Sequence, residues 1–167
     1  MAELRQADAA DALLISRIIA NSWRGAYQAL IDPVYLSRLP DETWLASMRT
    51  WLDSGRMYGY IAESEGFPVG CVVYGRARDE ALGNWGEIVS LYVLPEVMGR
   101  GIGTQLLDAA CAALREDGYP HVYLWSIRGN TQAERFYCRR GFRATSDEVR
   151  YFIGGHGMTD IRLIREG

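Results

Sequence analysis

Three glycines at alternate positions, Gly99, Gly101 and Gly103, lie between a run of strand-forming residues and a run with helical periodicity. Such a turn offers a row of free backbone N–H groups, and the positive end of the helix dipole lies beside them. Both features attract an anion such as a pyrophosphate. Glycine also permits tight turns that bind nothing, so the turn alone leaves a purely structural role open.

Neither of the two common nucleotide-binding loops matches this turn. A P-loop needs Gly-Lys-Ser/Thr at the start of the helix, but Gly103 rather than a lysine precedes Thr104. A dinucleotide-binding fold needs Gly-x-Gly-x-x-Gly, usually after the first strand of several βαβ units. Here the spacing is Gly-x-Gly-x-Gly and the turn lies past the midpoint of the chain. The sequence therefore disfavours both folds.

The elements around the turn form a βαβ unit. A strand-like run from Trp85 to Leu94 precedes the turn, and a helical pattern from Gln105 to Glu116 follows it. Gly118 and Pro120 are typical of a helix end, and the apolar run 122–125 then reads as a strand covered on both faces. The two strands are expected to be parallel neighbours joined by a right-handed crossover.

The rest of the chain predicts a mixed α/β (α+β) fold in one domain, residues 1–167, with about seven mostly antiparallel strands and four helices. The further elements are a strand at Leu4-Arg5, a helix starting at Asp8 or Asp11, a helix from Asp41 to Ser54, strands Met57–Glu63 and Val69–Tyr74, a helix from Asn130 or Thr131 to Gly141, and strands Ala144–Ile153 and Asp160–Arg165 around a loop at Gly154–Gly157.

Composition excludes several classes of protein. A net charge of -3 argues against a dedicated nucleic-acid binder. No apolar run approaches the ~18 residues of a membrane span, and the first residues are not typical of a signal peptide. Three cysteines without a CxxC pair and only two histidines predict neither disulfides nor a metal site. We therefore expect a cytoplasmic protein that binds no metal, membrane or nucleic acid.

Two stretches resemble the signatures of the GNAT superfamily of N-acyltransferases. LYVLPEVMGRGIGTQLL, residues 91–107, is similar to the strand, glycine turn and helix that bind acetyl-CoA, and residues 130–142 are similar to the second signature, N-x-x-A-x-x-F-Y-x-x-x-G-F. Both occur in the family's order and spacing, and the element order also matches, so the resemblance covers essentially the whole chain. Met98 departs from the family's Gln/Arg; its backbone amide is retained, and Arg100 can compensate in part for the lost side-chain contacts.

The resemblance implies acetyl-CoA as the cofactor, and the residues that match the family's binding positions follow from it. Backbone N–H groups of the strand would bind the pantetheine arm and polarise the thioester carbonyl, the turn would hold the pyrophosphate, and the second signature would complete the site. These residues are Leu91, Tyr92 and Val93; Met98, Gly99, Arg100, Gly101, Ile102, Gly103 and Thr104; and Asn130, Ala133 and Tyr137.

Tyr137 and Glu87 are the implied catalytic residues. Tyr137 matches the family's general acid for the departing thiolate. Reference pKa values of ~10 for Tyr and ~8.5 for a thiol make a complete proton transfer about 2 kcal/mol uphill, so Tyr137 would act while sulfur is leaving or donate a hydrogen bond. Glu87 would face the acceptor amine, through a water relay or by binding the cation. Core packing beside Phe136, and an ordinary exposed glutamate at a strand end, are the respective alternatives.

The acceptor pocket is expected near Trp23, Arg24 and Tyr27, in a run, SWRGAYQALI, that resembles an SWR-x-AY subgroup of mostly bacterial members. Glu87 would also contact the acceptor, and Trp125 is expected in the core or the pocket wall. The alternatives are that Trp23 only packs in the core and that Arg24 is only a solvated surface residue.

By resemblance, the chain is expected to transfer acetyl from acetyl-CoA to a primary amine of a small molecule, a protein N-terminus or a lysine. Another acyl-CoA donor, a hydroxyl acceptor, or a catalytically idle CoA-binding module that acts as a sensor or interaction partner are the alternatives. A homodimer is expected by analogy with relatives.

Overall fold

One seven-stranded sheet organises the chain in the computed structural model, which describes residues 1–167. The strand order is β1-β2-β3-β4-β5-β7-β6, and every pair is antiparallel except β4–β5. The strands are β1 Glu3–Gln6, β2 Tyr58–Ser64, β3 Phe67–Arg76, β4 Gly86–Val93, β5 Val122–Ile127, β6 Arg143–Ile153 and β7 His156–Arg165. The mixed fold with about seven strands and one parallel pair is therefore confirmed.

Five α-helices accompany the sheet: α1 Ala12–Ala26, α2 Pro33–Ser37, α3 Leu45–Ser54, α4 Ile102–Glu116 and α5 Thr131–Arg139. The prediction of four helices was wrong by one, because α2 is only five residues long and too short to show a periodic apolar pattern. Its signal is local: Asp32 accepts a hydrogen bond from the Val34 N–H, and Pro33 supplies the first helical residue. None of the helices combines the length and the apolar character that a membrane crossing requires.

Two predicted boundaries differ from the structure, and a third that the sequence left open is decided by it. Helix α3 begins at Leu45 rather than at Asp41, because residues 41–44 form a turn and the Asp41 carboxylate pairs with Arg24 instead of capping a helix. Asn130 rather than Thr131 caps α5, since its Oδ1 accepts a hydrogen bond from the Ala133 N–H. The C-terminal hairpin turns through residues 154–155 alone, both with positive φ, so β7 already begins at residue 156.

Helices cover the two faces of the sheet unequally. On one face, α4 packs Leu106, Leu107 and Leu114 into the larger core cluster, which also contains residues of β2 to β5 and β7. On the other face, α1 and α3 cover β2 and β3 through a second cluster that includes Ile15 and Met48. A third, small cluster joins α2 to the β6–β7 hairpin. The second cluster contains no residue of β5, and a cavity forms beside that strand.

The parallel strands β4 and β5 pair over only three positions, from Gly86–Val122 to Ile88–Leu124. Both strands continue past this point, β4 to Val93 and β5 to Ile127, so they separate. A β-bulge opposite β3, at Val89, bends β4 where the separation begins. The edge of β4 that faces β5 is therefore left without a strand partner beyond Ile88.

Candidate active site

A cavity of about 230 Å³ lies where β4 and β5 separate. Its walls come from these two strands, from α5, from the C-terminal end of α1 and from the β6–β7 hairpin. It brings together half of the residues that the sequence singled out, namely Trp23, Tyr27, Glu87, Leu91, Tyr92, Trp125, Asn130, Ala133 and Tyr137. The predicted Val93, the turn and Arg24 are not part of its lining.

The turn after β4 presents a continuous row of free amides. Gly99 and Gly101 have φ of 79° and 81°, which a residue with a side chain adopts only with strain. None of the six backbone N–H groups from Gly99 to Thr104 donates a hydrogen bond within the protein, and no side chain caps α4. The Arg140 Nη2 donates to Thr104 Oγ1 over 2.7 Å and adds a cation at this helix end. This arrangement fits a pyrophosphate.

The side chains of Met98 and Arg100 are exposed, at the start of the same turn. Met98 has 43% of its surface accessible, so a side chain at this position is in contact with solvent rather than with the core. A longer polar side chain would therefore fit at position 98 without repacking.

Tyr137 lies on α5 with its ring between Phe136 and Phe142, at centroid distances of 5.2 and 5.7 Å. Tyr137 lines the cavity, and its hydroxyl makes no hydrogen bond to the protein. Burial raises the pKa of Tyr137 well above its ordinary value. The phenol is therefore protonated at neutral pH and can donate a hydrogen bond to a group in the cavity.

Glu87 is a buried residue in an ion pair, not an exposed strand-end glutamate. Its carboxylate accepts hydrogen bonds from the Arg78 Nη2 at 2.5 Å, from the Arg78 N–H at 3.0 Å and from the Tyr123 hydroxyl at 2.8 Å. Burial opposes ionisation, but the bonds from Arg78 outweigh it and lower the pKa of Glu87. Glu87 is thus a carboxylate at neutral pH, already occupied by two partners.

Aromatic side chains from α1 and β4 pack together at one side of the cavity. Trp23 and Tyr27 are one helical turn apart with ring centroids 5.5 Å from each other, and the Trp23 Nε1 donates to the Tyr92 hydroxyl over 3.1 Å. Arg24 follows Trp23 and points elsewhere on the helix, where it pairs with Asp41 at 2.8 Å. Arg24 therefore ties α1 to the segment before α3.

Trp125 on β5 lies against Arg162 rather than deep in an apolar core. The Arg162 guanidinium stands over the Trp125 ring at 4.5 Å and over the Tyr123 ring at 4.7 Å, and it pairs with Asp79 at 2.8 Å. This stack holds the Trp125 ring at the cavity wall.

Five polar residues of the cavity were not predicted from the sequence: Arg78, Ser90, Ser126, Tyr151 and Asp160. Arg78 lies in the connection between β3 and β4, and its pairing with Glu87 depends on a turn that no local pattern reveals. Tyr151 and Asp160 lie on the two strands of the C-terminal hairpin. The only signal was an aspartate inside the strand sequence MTDIRLIR, because aspartate is uncommon in strands.

Residues 22–142 match the family model described as the acetyltransferase (GNAT) family. An uncharacterised N-acetyltransferase from Archaeoglobus fulgidus is 33% identical over 151 residues, which cover 84% of this chain and 92% of that protein. The uncharacterised N-acetyltransferase YuaI of Bacillus subtilis is 28% identical over 164 residues, 98% of this chain and 92% of that protein. The crystal structure of the PaiA N-acetyltransferase from Thermoplasma acidophilum in complex with coenzyme A superposes with a TM-score of 0.78 at 19% identity, over 100% of this chain and 99% of that one.

Proposed function

Because this chain belongs to the acetyltransferase (GNAT) family, and is an acyl-CoA-dependent N-acetyltransferase with acetyl-CoA as its cosubstrate, we propose that it acetylates the primary amine of a small molecule or a protein. The observation that carries the proposal is the pairing of two features along the chain: the cavity at the β4–β5 separation, and the row of six free amides in the turn that follows β4. The cavity can hold an acyl thioester, and the turn can hold a pyrophosphate.

In the proposed reaction, the ammonium group of the acceptor first loses a proton to solvent, and the neutral amine then attacks the thioester carbonyl carbon. A C–N bond forms, the C–S bond breaks, the sulfur leaves as a thiolate, and the nitrogen loses a proton to solvent or to a nearby base. The unpaired edge of β4 at Leu91–Val93 offers backbone N–H groups for the pantetheine arm and for the carbonyl oxygen, where negative charge develops. The turn from Met98 to Thr104 would hold the pyrophosphate, with Asn130 and Ala133 beside the pantetheine arm.

Tyr137 would donate its proton, or a hydrogen bond, to the departing sulfur. Since burial raises the pKa of Tyr137, full transfer to a thiolate is more unfavourable than the reference values suggest, and stabilisation by a hydrogen bond is the role that we favour. Glu87 would act through a water or by orienting Arg78 and Tyr123, because its lowered pKa makes it a weak base. Trp23, Tyr27 and Trp125 would bound the acceptor, whereas Arg24 is assigned to the protein scaffold.

The test is an acetyl-CoA assay with a panel of primary amines and one matched alcohol, in which release of the free CoA thiol is measured with and without each acceptor. We expect release that depends on an amine. Tight binding of CoA without acceptor-dependent release would support the idle binding module instead, and release with propionyl-CoA but not acetyl-CoA would support another donor. Failure to bind CoA at all would contradict the enzyme and the module alike.

We also propose a single domain, since all seven strands form one sheet, and a cytoplasmic location, supported by three free cysteines. Membership of the SWR-x-AY subgroup remains a prediction. A homodimer through the C-terminal strands is a further proposal, supported by the unpaired outer edge of β6 and by Phe152, which is 79% exposed. Sedimentation analysis of the wild type against Phe152→Ser would test it.

A further inference from the structure

The charges that line the cavity are three, and two of them neutralise each other. Arg78 and Glu87 form an ion pair, whereas Asp160 on β7 has no cationic partner. The cavity therefore carries one net negative charge, and that charge resides on Asp160. A surrounding of this kind attracts a cation and repels a second carboxylate.

The protein donates a hydrogen bond to only one of the two oxygens of the Asp160 carboxylate. Its Oδ1 accepts a hydrogen bond from the Tyr151 hydroxyl over 2.7 Å, but no donor reaches its Oδ2. Only two atoms of Arg162 are both fully buried and without a hydrogen-bond partner. Oδ2 of Asp160 has no partner either, so it must be accessible from outside the protein interior. Oδ2 thus stands open at the cavity. Burial raises the pKa of Asp160, and the hydrogen bond from Tyr151 offsets this only in part.

The groups that line the cavity around Asp160 add no positive charge, and Arg162, two residues along β7, is already paired with Asp79 and Asp147. Tyr151 faces it from β6, Tyr92 contributes a neutral phenol from β4, and Trp23 and Tyr27 bring aromatic rings from α1. A carboxylate flanked by aromatic rings is the combination that proteins use for ammonium groups, because the ring faces and the carboxylate both favour a cation.

We propose that Asp160 binds the ammonium group of the acceptor, and that the acceptor is a small amine without a carboxylate next to its reacting nitrogen, its carbon skeleton lying against Trp23 and Tyr27. The inference rests on the proposed function and narrows its substrate class. An α-amino acid would place its own carboxylate close to Asp160, in a cavity whose one guanidinium is already paired with Glu87. Amino acids are therefore excluded, and their decarboxylated counterparts are favoured.

The test compares matched pairs that differ only in the carboxylate: tyramine with tyrosine, and cadaverine with lysine. For the wild type we expect kcat/KM to be about 10–100-fold higher for the amine than for the amino acid, the range of one lost charge-assisted hydrogen bond. Equal values for both members of each pair, or a preference for the amino acid, would overturn the substrate class.

The residue assignment is tested with Asp160→Asn, which keeps the shape and the acceptor for Tyr151. We expect KM for tyramine and cadaverine to rise about 10–100-fold, with the Kd of CoA unchanged. Asp160→Glu should restore part of the affinity. Asp108→Asn, which removes the same charge from the exposed face of α4, is the matched control and should leave KM unchanged. An unchanged KM in Asp160→Asn would refute the assignment.

Calorimetric titration of tyramine into the CoA-bound wild type and Asp160→Asn separates this inference from the proposed reaction. Weaker binding in the variant supports Asp160 as the ammonium site whether or not turnover occurs, and equal binding contradicts it. Binding of the amine without any acetyl transfer by the wild type would contradict the proposed function alone. Thermal unfolding confirms that each variant is folded.

Discussion

Tyr137 and Glu87 face one cavity, but their surroundings fix their protonation states in opposite ways. Tyr137 is held among apolar rings without a partner, so it stays a phenol. Glu87 is held by Arg78 and Tyr123, so it stays a carboxylate. Sequence resemblance suggested both as catalytic residues, but the contacts make Tyr137 the better hydrogen-bond donor and leave Glu87 little freedom to exchange protons.

Replacing Tyr137 with Phe removes one hydroxyl that makes no hydrogen bond within the protein. We expect kcat to fall about 10–100-fold, because the departing sulfur loses its donor, while the Kd of CoA changes little. The free energy of unfolding should stay within about 0.5 kcal/mol, since no internal bond is lost. Steady-state kinetics and calorimetry measure both quantities. A kcat equal to that of the wild type would reduce Tyr137 to a packing residue.

Replacing Glu87 with Gln breaks an ion pair and weakens the hydrogen bonds from four donors, three of them on Arg78 and the fourth the Tyr123 hydroxyl. We expect the free energy of unfolding to fall by about 1.5–3 kcal/mol at pH 7. Because the folded pKa of Glu87 is lowered, its contribution is complete above the pKa of the unfolded chain and is lost as the pH falls through the folded pKa. The difference from the wild type should therefore shrink under acid conditions.

Urea unfolding at several pH values measures the Glu87 effect, and Glu80→Gln, on an exposed glutamate without an ion pair, is the control. A difference that does not depend on pH would argue against the ion pair as its source.

The residues that the sequence could not reveal are those whose partners are set by the pairing of strands and the path of a connection, not by a helical or capping spacing. Leu91, Asn130 and Tyr137 belong to local signatures, and the structure lines the cavity with all three. Asp160 meets its partner Tyr151 across a hairpin, and Arg78 meets Glu87 across the connection between β3 and β4. Both contacts form only once the sheet has formed. No periodicity or capping pattern encodes such pairs.

At the scale of elements, local rules predicted most of the fold. The parallel pair β4–β5, the end of α3 at Gly55 and the cap of α5 all follow from apolar runs, glycine and side-chain caps. The separation of β4 from β5 does not, because it depends on a bulge at Val89 that is defined by the register against β3. The cavity results from how β4 pairs with β3 and β5, and this register cannot be read from any one segment of the sequence.

The glycine turn before α4 combines a conformational requirement with a binding role, and a matched pair of variants separates the two. Gly101 and Gly66 have φ of 81° and 80°, and an added Cβ meets no atom within 4 Å at either position. Alanine should therefore cost each about 1–2 kcal/mol of stability from strain alone. Only Gly101→Ala should also weaken CoA binding, because it shifts the amides of the turn.

Urea unfolding and calorimetry of Gly101→Ala and Gly66→Ala measure the two effects. If both variants bound CoA like the wild type, the turn would have no part in the cofactor site, whatever their stability.

At the scale of the whole molecule, the unpaired carboxylate of Asp160 costs stability. Its folded pKa is raised, so the folded protein resists its ionisation and stability declines as the pH rises from the unfolded pKa through the folded one. Asp160→Asn should therefore have a higher Tm than the wild type at pH 7, by about 2–4 °C for each kcal/mol gained, and the two should converge in acid. Calorimetric scans test this, and a lower Tm for the variant at pH 7 would show that Asp160 stabilises the fold.

The free amides from Gly99 to Thr104 should also differ from their neighbours in their rate of hydrogen exchange. An N–H without an internal acceptor exchanges its hydrogen with water rapidly, whereas the amides of β4 and of the body of α4 are protected by their ladders and helical bonds. In deuterated water the protein should thus show a six-residue gap of fast exchange between two slow elements. Saturating CoA should slow hydrogen exchange in this segment by at least tenfold and leave the exchange rate of the hairpin turn at Gly66 unchanged. Hydrogen exchange at the uncapped start of α4 therefore reports whether CoA is bound.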